Sequence, residues 1–319
     1  MKTIFINTFK VALAGFLISW LITSGKLDFR LLYELRNHPV PVTIAVIIAL
    51  INIILISYRW ETILRARSQI RIPIKGLVQI NWIGNFFSSV LPGSVTGDLV
   101  KMIYVQKFDS SFSKKFVFAS ILIDRVMGLS GLILLVGMSS LIFGGKIIEN
   151  APSMKPLLQI NYLLMGLVIL AFMTFFFFHH FIRYLLLKLE TIGLEKVIQK
   201  VIVLWDDLVL IKSKMLKAIG LSLLVQLFGV LIFWCLIHPF VEGQMTFIQA
   251  LAFIPIGLMT LALPIAPSGL GVGHAIFQKL FELSGIMQGA SLFNLYFVLT
   301  LTVNLFGAIP YLLTKSKEE

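Results

Sequence analysis

Residues 85–105 read NFFSSVLPGSVTGDLVKMIYV. An apolar run stops at Leu91-Pro92-Gly93 and restarts just past Gly97-Asp98, with Lys101 about a turn later. Proline removes a backbone donor and glycine relaxes the backbone, so two short helices with a break between them are predicted. Basic residues flank the stretch: Arg59, Arg65, Arg67, Arg71 and Lys75 before it, Lys101, Lys107, Lys114 and Lys115 at and beyond its end. If both clusters lie on one side of a membrane, the chain must go in and come back. Segments 76–91 and 95–105 are each short for a full crossing, which predicts a re-entrant hairpin. Such backbone is tolerated at depth only when buried in protein or lining a wet cavity.

The composition sets the membrane context. Of 319 residues, 58% are hydrophobic and 13% charged, against roughly 25% charged in a soluble domain. A spanning helix needs about 20 mostly apolar residues, and uncharged runs at 39–58, 126–145, 156–182, 218–241, 243–278 and 283–314 meet that length. Residues 4–23 add a first helix, interrupted only by Lys10. The signal-peptide-like start lacks a small-residue cleavage site, so retention of that helix is expected. The runs are too long for barrel strands. The expected fold is therefore all-α: one polytopic transmembrane domain over 1–319 with about 6–8 spans. Its halves are 1–145, with a broken segment at 76–107, and 218–319, with another at 261–285.

The net charge of +12 is unevenly spread. A third basic stretch runs from Arg183 to Lys217, whereas 238–249 holds no Lys or Arg. The positive-inside rule puts the three basic stretches and both termini in the cytoplasm, in a cell inner membrane. The charges read as topology and anionic-lipid contact rather than nucleic-acid binding. Within 181–217, leucines and isoleucines alternate with charges at helical spacing, which predicts an amphipathic helix on the inner leaflet. Cys235 is the single cysteine, so no internal disulfide is expected. No Cys/His cluster points to a metal, no cofactor is implied, and His179-His180 reads as an interfacial pair.

A second stretch, LALPIAPSGLGVGHAIFQKL at 261–280, is punctuated like the first. Pro264 and Pro267 end a helix, Ser268, Gly269, Gly271 and Gly273 form a turn, and a helix opens near His274, with Lys279 beyond. One broken segment in each half points to a transporter's central site and an inverted-repeat relation. A helix start presents free N–H groups and a partial positive charge, which suits a phosphate. The expected headgroup-binding residues are Asn85, Pro92, Gly93, Gly97, Asp98, Lys101, Asp124, Arg125, Pro267, Ser268, Gly269, Gly271, Gly273, His274 and Lys279. Asp98 caps its helix, pairs with Lys101 or Arg125, or carries a proton. Arg125 is placed to meet Asp98, and Asp124 to meet Lys101. Arg59-Trp60-Glu61 reads first as an interface anchor.

On these residues the chain resembles the flippase-like membrane proteins that include the membrane region of lysylphosphatidylglycerol synthase. The markers are Arg59-Trp60, Asn85-Phe86-Phe87, Leu91-Pro92-Gly93, Gly97-Asp98 with Lys101, Asp124-Arg125 with Gly128-Leu129, and Pro267–Gly273. The family often has Gly-Gly-Asp and an arginine where this chain has Thr96-Gly97-Asp98 and Lys101, and a glutamate at His274. The resemblance implies translocation of a lipid headgroup between leaflets. The synthase's soluble aminoacyl-transfer domain would follow its membrane region; this sequence stops at Glu319, so that activity is expected to be absent. Two other readings compete: a membrane-embedded enzyme acting on a lipid-linked phosphate or sugar, and a non-transporting partner of a lipid-modifying enzyme. Membrane lipids with anionic headgroups are the expected ligands. A homodimer and a lipid-modifying enzyme are the protein partners left open.

Overall fold

The computed structural model describes residues 19, 23, 29–66, 73–90, 96–108, 112–150, 152–190, 195–261 and 271–315. The expected first helix apart from residues 19 and 23, Pro92-Gly93 and Pro264–Gly269 lie outside these residues. The described chain is helical throughout: α1 (Arg30–Glu34), α2 (Pro39–Leu64), α3 (Ile74–Val90), α4 (Thr96–Phe108), α5 (Lys114–Asn150), α6 (Lys155–Glu190), α7 (Glu195–Val241), α8 (Phe247–Leu261), α9 (Val272–Glu282), α10 (Gly289–Leu305) and α11 (Ala308–Lys315). Five segments among them are long and apolar enough to cross a membrane: Pro39–Leu64, Lys114–Glu149, Pro152–Lys188, Leu208–Val241 and Gly289–Leu313. The protein is a multi-pass helical membrane bundle.

Helices α2, α5 and α7 pack on one another and form the centre. Gly131 brings α5 against α7, since a Cβ there would stand 2.9 Å from that of Ser222. Two interruptions organise the rest. Around the first, α3 and α4 fold into an antiparallel hairpin in which Gly97 lies against Gly84 and Ser88. Around the second, α8 and α9 do the same, with Gly257 against Phe277 and Gly273 against Leu261. Helix α10 then runs back along α9, from Ala290 beside Gln278 to Asn294 beside His274. The 243–278 run is thus two short helices, not one span.

Segment 181–217 departs from the expectation of a separate helix on the inner leaflet. Its described parts are the adjoining ends of two long helices, α6 of 36 residues and α7 of 47. At about 1.5 Å per residue α7 is roughly 70 Å long, well beyond a hydrocarbon core of about 30 Å. The amphipathic pattern arises because the two ends pair. Arg183 Nε meets Asp206 Oδ1 at 2.8 Å, Trp205 Nε1 donates to the His179 carbonyl at 3.2 Å, and Lys212 Nζ lies 3.2 Å from His179 Nδ1. Ile198 and Ile202 are buried, while Leu185, Leu187, Val201 and Val203 are exposed.

Candidate functional site: a charged cavity beside the first hairpin

Arg59 is the residue around which the site is built. It lies near the end of α2 and is buried, where the sequence had placed an interface anchor. Its guanidinium forks onto Asp124 of α5, Nε to Oδ1 at 2.7 Å and Nη2 to Oδ2 at 2.9 Å, and reaches Ser222 Oγ of α7 at 3.3 Å. A bidentate arginine–carboxylate pair is among the strong charge-assisted geometries. Gly128, one turn beyond Asp124, leaves room for it: a Cβ there would sit 3.3 Å from Nη1. Gln226 Nε2 of α7 donates to the Gly128 carbonyl at 2.9 Å, a second tie between α5 and α7. Glu61, also buried, pairs with Arg65 at 2.5 Å.

The second ion pair joins the hairpin to α5. Arg125 Nη2 meets Asp98 Oδ2 at 2.6 Å. Asp124 therefore pairs with Arg59 rather than with Lys101, and Arg125 with Asp98. The two pairs differ in exposure: the Arg59 and Asp124 side chains are 6% and 14% exposed, Arg125 is 41% exposed. The inner pair is locked in the bundle and the outer one sits at its edge.

Between the pairs lies a cavity of about 220 Å³, lined by polar groups of Arg59, Asn85, Ser88, Asp98, Lys101, Asp124 and Arg125 and by Trp60, Ile56 and Ile121. Lys101 reaches it from α4. Its aliphatic stem packs over Gly84, where a Cβ would meet Cε at 2.5 Å, and its Nζ lies 5.9 Å from the centroid of the Trp60 ring. Trp60 is held by Nε1 donating to Ser120 Oγ at 3.1 Å. Lys101 lies in the fields of both carboxylates and both guanidiniums, yet among the described residues it makes no ion pair of its own. Three cations face two carboxylates, and the excess charge belongs to Lys101. A charge in such surroundings is costly unless it is paired or solvated.

Gly97 and Gly273 are packed against neighbouring elements. A Cβ on Gly97 would fall 2.2 Å from the Gly84 carbonyl oxygen, so the bare face of Gly97 is already occupied by α3. The same holds at Gly273, where a Cβ would stand 2.5 Å from the Phe293 ring. Gly271 opens α9 with φ +77°, a conformation that favours glycine.

None of the described residues of the second hairpin is in the lining. His274 is buried against Phe293 and Phe297, and its Nε2 lies 3.2 Å from Asn294 Oδ1. Lys279 stands on the last turn of α9, exposed and paired with Glu282 at 3.0 Å. It is on the last turn rather than the first and does not line the cavity with Lys101, beside which it was expected to hold a headgroup. Pro92, Gly93, Pro267, Ser268 and Gly269 lie outside the described residues. Of the expected set, Asn85, Asp98, Lys101, Asp124 and Arg125 come together, and the sequence reading missed Arg59, Trp60 and Ser88 as lining. Among the described residues, no group of three His, Cys, Asp or Glu side chains gathers to hold a metal.

Comparison with known proteins agrees with this architecture. A stretch of 87 residues is 29% identical to the UPF0104 membrane protein PH1989 of Pyrococcus horikoshii, covering 27% of this chain and 26% of that protein. The match thus spans about a quarter of the relative. No solved structure matches the chain. The description of the lysylphosphatidylglycerol synthase TM region matches residues 7–308, nearly the whole length, and the chain belongs to that family.

Proposed function

We propose that this protein is a lipid translocator of the cell membrane, moving a phospholipid or lipid-linked anionic headgroup between leaflets. Lys101 carries the reading: an ammonium without an ion-pair partner among the described residues, facing a polar cavity inside an apolar bundle. A phosphate there would take its charge from Lys101 and hydrogen bonds from Asn85 and Ser88. The Arg59–Asp124 and Arg125–Asp98 pairs would supply a preformed polar wall at little reorganisation cost. The family supports a lipid-related membrane role. The cavity is smaller than the roughly 300–1,000 Å³ of pockets that enclose drug-sized ligands, so it suits a headgroup fragment while the tails stay in lipid.

The test is a leaflet-specific headgroup assay in proteoliposomes. Redistribution of lipid without chemical change is the expected result. Appearance of a new lipid species would favour an enzyme, and neither outcome would favour a non-transporting partner.

A further inference from the structure

A second, smaller cavity adjoins the first. It measures about 130 Å³ and lies in the seam between α4 and α5, lined by Leu99 and Met102 on one side and by Phe118 and Leu122 on the other. Asp98, Ile121 and Arg125 line both cavities, so the outer ion pair is the shared wall between a polar chamber and an apolar one. Leu99, Phe118 and Leu122 are exposed on the outside of the bundle, as is neighbouring Val126. Phe118, Leu122 and Val126 belong to α5, a candidate span, whose exposed flank would meet lipid. The inner pair has no such neighbour: it is clamped by a two-point contact and Ser222, and it is buried.

We infer that the α4–α5 seam is an acyl-chain subsite, so that the cavity's ligand is a single amphiphile. Its phosphate lies against Lys101, its glycerol region passes the Asp98–Arg125 pair, and the first part of one chain lies between Leu99, Met102, Phe118 and Leu122. The inference rests on the headgroup reading of the polar cavity. Three observations carry it. The polar cavity is too small for more than a head. The wall it shares with the second cavity leads to apolar side chains. That wall is made by the more exposed ion pair, whose partners sit on two different helices, so a small separation of α4 from α5 opens it. A water-soluble anion would have no use for the apolar chamber.

Two probes separate the subsite from the cavity. Inorganic phosphate tests the polar cavity alone, read as a rise in thermal midpoint of the detergent-solubilised protein. Nanodiscs of equimolar phosphatidylglycerol and phosphatidylethanolamine test both, read as lipid retained per protein by native mass spectrometry. Leu122→Trp fills the seam and leaves every charged side chain in place. It is expected to keep the phosphate response and to lower lipid retention roughly tenfold, the factor carried by about 1.4 kcal/mol. Lys101→Met is expected to lose both. Should Leu122→Trp also lose the phosphate response, Phe118→Ser decides, because it makes the seam polar without filling it and is expected to lower retention alone. Full retention in the seam variants with loss in Lys101→Met would overturn the subsite and leave the headgroup reading standing. A wild type that answers to phosphate but retains no lipid would assign the site to a free anion and also overturn the subsite. Both responses surviving in Lys101→Met, or a wild type that answers to neither probe, would remove the cavity reading and the subsite together.

Discussion

The two interrupted hairpins share a construction and differ in what they enclose. In the first, Gly84 on the incoming helix receives the side chain of Lys101, four residues past Gly97. In the second, Gly257 receives the side chain of Phe277, four residues past Gly273. The counterpart of Lys101 is thus Phe277, not Lys279, and the counterpart of Asp98 is His274. The surroundings follow the swap. Around Lys101 stand two ion pairs and a polar cavity; around Phe277 stand Phe233, Phe281 and Phe293 in stacked or tilted contact. One backbone device places a side chain beside a helix break in both halves. Whether that place becomes a site or a core depends on a single residue and on the charges its neighbours bring.

Exchanging the two residues would break the comparison most severely. Phe277→Lys puts an ammonium among aromatic rings, where no carboxylate among the described residues faces it. The variant is expected to lose about 4 kcal/mol or more of stability, read as a collapse of the thermal midpoint in detergent. The reverse exchange, Lys101→Phe, is expected to fold and to fail in transport. Next in size is Arg59→Met, which leaves Asp124 buried without its partner and should cost about 3–5 kcal/mol. Adding Asp124→Asn should recover part of that loss, and a double-variant midpoint no higher than that of Arg59→Met alone would contradict the pair's assignment.

How much of this was legible in the sequence depends on the length scale of each signal. The apolar middles of the spans were readable, because about 20 uncharged residues have few other uses. The ends were not. The uncharged run stops at Tyr58 and resumes at Val126, yet the helices continue through Arg59 and Asp124, because those two charges neutralise each other across 65 residues of chain. Hydropathy cannot see a partner that distant. The Asp98–Arg125 contact was nameable, since a carboxylate and a guanidinium near matching depths have few alternatives. Lys279 was placed by its distance past the helix start near His274, but it stands exposed on the last turn and pairs with Glu282, three residues on. The amphipathic pattern before residue 217 did not show that this segment continues into a 47-residue helix, because charges interrupt the apolar run.

Smaller effects sharpen the account. Gly97→Val would push α3 and α4 apart and should cost about 1–3 kcal/mol through overpacking. Lipid redistribution should fall with it, because Asp98 and Lys101 shift together. Normal redistribution in a folded Gly97→Val protein would show that the hairpin's tightness is irrelevant to the cavity. Smallest is Lys279→Ala. An exposed pair of this kind contributes about 0–1 kcal/mol, so neither the thermal midpoint nor transport should change measurably.

The most direct measurement compares two lysines in one assay. Lys101→Met and Lys279→Met each remove one positive charge from a short helix that follows a proline-containing break. In proteoliposomes, scored for leaflet redistribution of phospholipid headgroups, Lys101→Met should abolish the protein-dependent rate while Lys279→Met retains it, at equal amounts of folded protein. Equal rates in the two variants, or loss confined to Lys279→Met, would contradict the assignment of the first hairpin's cavity as the place where the headgroup is held.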